Sequence, residues 1–201
     1  MLARRVAAGG LVVLAGIAAL RSNPDGDYAQ VVVAEHDLRP GAALTAADIR
    51  LEKRLASTVP DGAPTDVGAV VGSTLAGPTR RGEVLTDVRL LGARLAEAAI
   101  GSKAGPGARI VPLHLADGAL IDLVRVGDVV DVLAAPATGS PETAHAAPKV
   151  VATDAVVVLV SAKEKLQAAD SDRIVLVALP ARVANTVAGS ALGQAVTLTL
   201  H

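Results

Sequence analysis

The sequence repeats a short outline, and this repetition restricts the fold more than any other feature. In each copy a glycine turn is followed by Leu-Thr and then by an acidic residue, an apolar residue, Arg and Leu. The outline occupies 39–51, returns at 81–90, and has a looser third copy at 125–133. A recurring element of this kind predicts a small β-unit that the chain uses more than once.

Composition excludes several kinds of site. The 201 residues allow one domain or two small ones after a leader, and an apolar share of 51% is enough for a core. Tyr28 is the only aromatic residue, whereas single-stranded nucleic-acid sites, like sugar sites, usually stack their ligand on aromatic rings. The formal net charge of -1 provides no general attraction for nucleic acid. The absence of Cys excludes disulfides and thiolate chemistry.

The N-terminus has the pattern of a targeting or anchoring segment. Arg4 and Arg5 precede an apolar run, which predicts a cytoplasmic start and export of the remaining chain. The run spans roughly 22 Å as a helix, short of the ~30 Å hydrocarbon core, so its length also fits a cleaved signal peptide. Because no good small-x-small cleavage motif precedes Arg21, we expect a retained anchor; a cleaved signal and a buried helix are the alternatives. The residues expected to contact lipid are Val6, Leu11, Val12, Val13, Leu14, Ile17 and Leu20.

The first region after the linker reads as short strands joined by turns. Tyr28–Ala34 is rich in Val and predicts a strand. Pro40 and Gly41 predict a type II turn with positive φ at the glycine. At the weak capping box 45–48 we expect the Thr45 hydroxyl to accept from the amide near residue 48. Further along, the pattern predicts a short helix at 64–71 and a strand at 84–90.

These residues resemble a known module. A Val-rich strand, Asp37–Gly41, Leu44–Ile49, Pro60, Val71-Gly72 and Arg81–Leu85 follow one another in the order of a SAF domain. That β-clip module occurs in sialic acid synthases, antifreeze proteins and pilus or flagellar assembly proteins. The resemblance implies a β-clip fold for 28–92, about a third of the chain. It says little about function, because the module serves many roles.

The second region, 93–201, predicts a β-rich α+β domain. A helical turn is expected at 95–100, and the glycine-rich 101–107 reads as a hinge because it lacks the Gly-Lys-Ser/Thr ending of a phosphate loop. Pro180 should open a helix whose apolar side is Val183, Val187 and Leu192. Strands are predicted at 109–115, 119–124, 129–133, 150–161 with a break near Thr153-Asp154, 173–179 and 195–200, and a loop at 134–148.

This half is similar to the CpaB/RcpC family of Flp (Tad) pilus assembly proteins. The similarity rests on a Val-Asp-Val-Leu strand after Gly-Asp, on the segment Val150–Asp154, and on the final strand-Pro-helix-Gly-strand. It implies a mainly β protein with short helices in three parts. These are an N-terminal membrane anchor or signal with its linker (1–27), a SAF domain (28–92), and a C-terminal β-rich domain (93–201).

Residues that could carry chemistry are few. The histidines lack metal-type spacing, the acidic pairs sit in turns, and no Gly-x-Ser-x-Gly nucleophile motif occurs, so the sequence predicts no enzyme and no catalytic, cofactor or metal site. The histidines are His36, His114, His145 and His201. We first interpret the pair Arg80-Arg81 as part of a solvated surface. Its alternative is a contact to an anionic wall polymer, a lipid headgroup or a partner.

The predicted function is therefore assembly by binding. The family resemblance implies a single-pass protein of a bacterial cell membrane, with its soluble part outside the cytoplasm, that docks pilus or secretion proteins and no nucleic acid. The alternatives are a secreted chaperone similar to the flagellar P-ring assembly protein and a carbohydrate-binding SAF module. Exposed edge strands would allow partners to bind by strand addition, but the sequence does not identify the free edge.

Overall fold

The computed structural model describes residues 14–17, 27–101, 107–136, 147–161 and 173–201. Within them the protein is mainly β, with two sheets and short helices. The 3₁₀ turns of this part of the chain lie at Ala56–Thr58, Asp87–Arg89 and Gly118–Asp122. In chain order the strands and helices are β1 (Tyr28–Ala34), β2 (Ile49–Leu55), α1 (Ala93–Ile100), β3 (Ala108–His114), β4 (Val129–Ala134), β5 (Lys149–Val160), β6 (Ile174–Pro180), α2 (Ala181–Gly193) and β7 (Val196–Leu200).

The predicted anchor falls largely outside the described residues. Leu14 and Ile17 lie in a short helical piece and are exposed. Among the residues that are described, no helix has the length and apolarity needed to cross a bilayer. The other predicted lipid contacts lie outside the described ranges: Val6, Leu11, Val12, Val13 and Leu20.

The first sheet is the hairpin of β1 and β2, which pair antiparallel from Tyr28↔Leu55 to Ala34↔Ile49. On its other side β1 is bonded by the second copy of the repeat, through Ala34 N–H to the Glu83 carbonyl (3.0 Å) and Leu85 N–H to the Val32 carbonyl (3.0 Å). The run 31–34 is consequently buried on both faces. Among the described residues β1 is therefore the inner strand of this unit and β2 is an outer one.

Both complete copies of the repeat contribute to one small core. Leu44 from the first copy and Leu85 from the second are buried, and they occupy the same position relative to their turns. The turns themselves bend at Gly41 (φ 86°) and Gly82 (φ 78°), as the predicted glycine conformation requires. The cluster that they close consists of Val32, Leu44, Ile49, Val70, Leu75 and Leu85.

The second sheet has five antiparallel strands in the order β3-β6-β5-β4-β7. It curls until the residues after β3 meet β7. Leu115 forms a parallel bridge with Val196, and the Ala116 N–H donates to the Val196 carbonyl at 2.8 Å. The sheet is therefore almost closed into a small barrel, which reduces the exposed edges that an open sheet would have.

Each face of this sheet is covered by one helix. α2 contributes Ala184 and Val187 to the larger core, together with inward residues of all five strands. On the opposite face Ala96 and Ile100 of α1 pack against Val158. The prediction that Leu192 belongs to the apolar side of α2 was wrong. It is 91% exposed, because the helix buries the i, i+3 pair 184 and 187 instead.

Several predicted elements differ in the structure. Gly118–Asp122 is a 3₁₀ turn rather than part of a strand, because the Asp117 carboxylate accepts from the Ala119 N–H at 2.9 Å and caps it. Asp87–Arg89 is likewise 3₁₀. The predicted helix at 64–71 is reduced to a single turn, closed by bonds from residues 70 and 71 to the Val67 carbonyl. The predicted break in β5 is a local irregularity, because the strand runs without interruption over Lys149–Val160 and Asp154 within it has a φ of 56°.

Candidate partner-binding surface

The two arginines singled out from sequence lie in a turn that is held by carboxylates. Arg80 Nη1 donates to Asp37 Oδ2 at 2.5 Å, and the Arg81 N–H donates to Asp37 Oδ1 at 3.0 Å. Glu83 accepts from the Arg80 N–H (3.0 Å) and from Arg89 Nη2 (2.6 Å). The backbone bond from Arg81, then the side-chain bond from Arg80, lower the pKa of Asp37. The three arginines and two carboxylates retain one net positive charge, so the turn is a modest contact point for an anion.

A second polar group sits at the first repeat. Asp48 Oδ2 accepts from the Thr45 hydroxyl (2.6 Å) and the Thr45 N–H (2.7 Å), and His36 Nε2 lies 3.0 Å from Asp48 Oδ1. The Thr45 hydroxyl thus donates to the carboxylate, which corrects the predicted acceptor role. These bonds, with that from the Thr45 side chain the largest, lower the pKa of Asp48. Because the aspartate stands between hydroxyl and imidazole, the imidazole is not placed to activate the hydroxyl.

The remaining histidines are dispersed. His201 Nε2 lies 3.0 Å from Asp131 Oδ1, and this hydrogen bond is the largest cause of the lowered pKa of Asp131. His114 is exposed on β3, and His145 lies outside the described ranges. Over the part of the chain that the structure describes, no three His, Cys, Asp or Glu side chains are grouped so that they could hold a metal ion.

A shallow groove separates the repeat unit from the barrel. Its volume is about 380 Å³, and Val88 on one side and Val126 and Val156 on the other belong to its lining. Arg89 is the charged residue in that lining. Ligand sites combine an apolar wall with several convergent polar groups, which this groove does not present. It suits an apolar contact better than a reaction.

The outer edge of β2 is the feature with the most binding potential. The Glu35 N–H donates to the Asp48 carbonyl (2.8 Å) and the Ala56 N–H to the Asp27 carbonyl (2.7 Å). In an antiparallel pair, bonded residues alternate along each strand. The backbone groups of residues 50, 52 and 54 therefore point towards β1, and those of Leu51, Lys53 and Leu55 point away from it. Of these outward groups, the Leu55 carbonyl already accepts from the Thr58 hydroxyl at 2.8 Å. We call residues 49–55, with these outward groups, the β2 edge.

The side chains of the β2 edge alternate in character. On one face Arg50, Glu52 and Arg54 form a charged ladder, with Arg50 Nη2–Glu52 Oε2 at 2.5 Å and Arg54 Nε–Glu52 Oε1 at 2.7 Å. Arg50 also pairs with Glu35 at 2.7 Å. On the other face lie Lys53 and two exposed leucines.

The exposed leucines continue across the hairpin to the single aromatic residue. Tyr28 is 59% exposed, Leu51 43% and Leu55 40%, and Tyr28 is the cross-strand partner of Leu55. We call these three residues the apolar stripe. Exposed apolar side chains beside open backbone groups are typical of a contact surface.

Sequence reasoning identified the arginine turn but not the β2 edge. The signal was present in the alternation of charged and apolar residues along 49–55. It could not be interpreted without knowing that β1 is bonded on both sides, because that pairing alone makes β2 the outer strand.

Comparison with known proteins identifies the repeat unit. A family model described as "SAF domain" matches residues 29–91. Among solved structures, the flagellar protein FlgA from Thermotoga maritima MSB8 is 30% identical over 32% of this chain and 25% of its own, with a TM-score of 0.31. The chain thus matches a quarter of the length of FlgA. No curated protein matches this chain.

Proposed function

We propose that this chain, whose residues 29–91 form a SAF domain, is an extracytoplasmic scaffold that helps to assemble a pilus or secretion apparatus. The N-terminal apolar run would hold it at the membrane, and its two β units would dock other proteins. The order of segments, which resembles that of CpaB, supports an Flp pilus as the apparatus that the chain helps to assemble.

The open β2 edge is the observation that carries the proposal. Leu51 and Lys53 direct both backbone groups away from β1, as does the N–H of Leu55, and an extended segment of a partner can bond to such groups as an added strand. Affinity then comes from main-chain hydrogen bonds, so a chain with one aromatic residue can still bind proteins. The charged ladder on one face and the apolar stripe on the other would select the segment.

The SAF domain is built to hold that edge in place. β1 is bonded on both sides and is buried over 31–34, so β2 is attached to the most constrained strand of the unit. An edge that does not have to be ordered on binding costs less conformational entropy when a partner arrives. The Arg80-Arg81 turn is a second proposed contact, to an anionic wall polymer or to an acidic partner segment.

Site-specific photo-crosslinking in living cells tests this proposal. A photoreactive residue would replace Lys53 on the β2 edge, Arg81 in the turn or, as a control, Leu192, which is 91% exposed on α2. We expect adducts at 53 or 81 that contain subunits of an envelope assembly or secretion apparatus, identified by mass spectrometry, and none at 192. Failure of positions 53 and 81 to yield any such subunit would contradict the proposal.

The two alternatives predict different results. A secreted chaperone similar to the flagellar P-ring assembly protein would be recovered outside the membrane with its leader removed, which N-terminal sequencing would detect. A carbohydrate-binding module would be retained by peptidoglycan or a glycan array even after Arg80 and Arg81 were both changed to Ala.

A further inference from the structure

We propose that the β2 edge pairs with the β2 edge of a second copy of this chain, antiparallel and centred on Lys53. This inference rests on the proposed function, because it assumes that the β2 edge is a docking site. It names a second copy of the chain as the partner that binds there. The result would be a four-stranded sheet in which β2 of each copy is inner and β1 is flanked as before.

Backbone geometry permits this register. When Lys53 faces Lys53 of the second copy, Leu51 faces Leu55 on either side of the two-fold axis. The N–H and C=O groups of all three residues point away from β1. The Leu55 carbonyl already accepts from the Thr58 hydroxyl at 2.8 Å and has its second lone pair left for an added strand. The outward groups of the two edges therefore meet as hydrogen-bonded pairs, as an antiparallel ladder requires.

The charges are compatible with this register. It places Glu52 opposite Arg54 of the second copy, twice by symmetry, and these two attractive pairs outnumber the one Lys53–Lys53 repulsion at the two-fold axis. A register centred on Glu52 would set Glu52 against Glu52 and Arg50 against Arg54, which repel. A register centred on Leu51 would also pair opposite charges, Arg50 with Glu52, but it would leave Leu55 outside the ladder and would place the buried Ile49 beside Lys53.

The apolar stripe supplies the rest of the contact. Leu51 and Leu55, each at least 40% exposed, would face each other twice, and Tyr28 would extend the patch on each side. The paired segments are five residues long, so the interface is smaller than the ~800 Å² per partner of a standard complex. We expect weak pairing in dilute solution and stronger pairing where copies are concentrated on one membrane.

Cysteine scanning tests the register directly, because the natural chain contains no Cys. The full chain in membrane vesicles would carry one of Lys53→Cys, Leu51→Cys, Glu52→Cys or Gln30→Cys and be exposed to a mild oxidant. Hydrogen-bonded pairs have Cα atoms about 5.5 Å apart, within the ~4.4–6.8 Å range of disulfides. In the proposed register residue 51 lies four residues, roughly 13 Å, from its own counterpart.

We expect Lys53→Cys to form a disulfide-linked dimer at least tenfold faster than the other three variants. Adding Glu52→Arg to Lys53→Cys should slow dimer formation at least tenfold, because the new arginine would face Arg54 of the second copy. Adding Arg54→Glu as well should restore the rate. Thermal melts would show that the charge variants remain folded. Gln30→Cys is the matched control, since it lies on β1 opposite Lys53 within the same hairpin.

Other results would overturn the proposal. Fastest dimer formation by Leu51→Cys or Glu52→Cys would indicate another register, as would rescue of Glu52→Arg by Arg50→Glu but not by Arg54→Glu. Equal rates for Lys53→Cys and Gln30→Cys would indicate random collision. If photo-crosslinking at 53 captures apparatus subunits while no variant dimerises, self-pairing fails and the scaffold function stands. If Lys53→Cys dimerises rapidly while photo-crosslinking yields no apparatus subunit, self-pairing stands and the scaffold function fails.

Discussion

At the scale of single residues, the turns of the repeat depend on a few backbone conformations and carboxylates. Gly41, Gly82 and Gly127 all adopt positive φ, at 86°, 78° and 97°, and each sits at the turn of one copy of the repeat. The two turns at 80–83 and 125–128 are closed in the same way, since Glu83 and Asp128 accept from the N–H three residues earlier at 3.0 and 2.7 Å. All three copies therefore share the glycine conformation, and the second and third also share the carboxylate that closes the turn.

We expect Gly41→Ala to lower the free energy of unfolding by about 1–2 kcal/mol, because a side chain disfavours the left-handed conformation. Space is not the cause, since no atom lies within 4 Å of the position that a Cβ would take. Gly92→Ala is the matched control, being equally open but extended, with φ 172°. Urea unfolding would measure both. Equal midpoints for the two variants would show that the φ of Gly41 is not constraining.

Acid should destabilise the protein through the bonded carboxylates of both units. Asp37, Asp48 and Asp131 have pKa values lowered from 3.8 by hydrogen bonds, with neighbouring positive charge adding to the effect. A lowered folded-state pKa means that the stabilisation is complete above about pH 4 and is lost as the pH falls below 3.8 through the folded values. Urea unfolding at pH 7 and at pH 3 would measure this loss. Asp48→Asn should lose less stability between the two than the parent, and an equal loss would contradict the role of Asp48.

At the scale of elements, α2 packs against the barrel through two small buried residues, Ala184 and Val187. Val187 is buried and Leu192 is 91% exposed. We expect Val187→Ala to cost about 1–3 kcal/mol, since it removes two methylene-sized groups from the core and leaves a cavity. Leu192→Ala should change stability by no more than about 0.5 kcal/mol. Thermal unfolding would measure the loss of stability in both variants. A larger loss for Leu192→Ala than for Val187→Ala would contradict the packing of α2 through its Val187 face.

The elements also show which parts of the fold could be read from sequence. The strands β1, β4 and β6 were predicted because runs of Val and Leu have one stable use in a small domain, a buried strand. The 3₁₀ turn at Gly118–Asp122 was misread, because a segment of five residues is too short for its i, i+3 burial to be told from alternation. The irregular backbone at Asp154 could be located from the Thr-Asp pair in an otherwise Val-rich segment, but the strand continues through it and is not broken there.

The candidate site was less predictable than the fold. The Arg80-Arg81 turn was found from sequence, but its pairing with Asp37 joins residues 43 and 44 positions apart, and local patterns carry no information on that. The identification of β2 as an outer strand depends on the second partner of β1, since Glu83 and Leu85 lie 49 and 53 positions from Ala34 and Val32.

At the scale of the whole molecule, two units with separate cores are linked near Gly92. The SAF core is built by residues 32–85, and the barrel core by residues 111–198. Arg94 Nε lies 3.9 Å from Asp87 Oδ2 across the junction, and an exposed pair of this kind contributes little stability. A scaffold needs surfaces on more than one rigid unit, and this arrangement provides the β2 edge on one unit and the barrel on the other.

The most direct test of the proposed role is where the SAF domain lies in the cell. Lys53→Cys would give the otherwise Cys-free chain a single thiol on the β2 edge, and intact spheroplasts would be treated with a maleimide that cannot cross membranes. We predict labelling before lysis, equal in extent to labelling after lysis, of a chain that sediments with the membranes and retains its N-terminal apolar run. Labelling only after lysis would place the domain in the cytoplasm and contradict an extracytoplasmic scaffold.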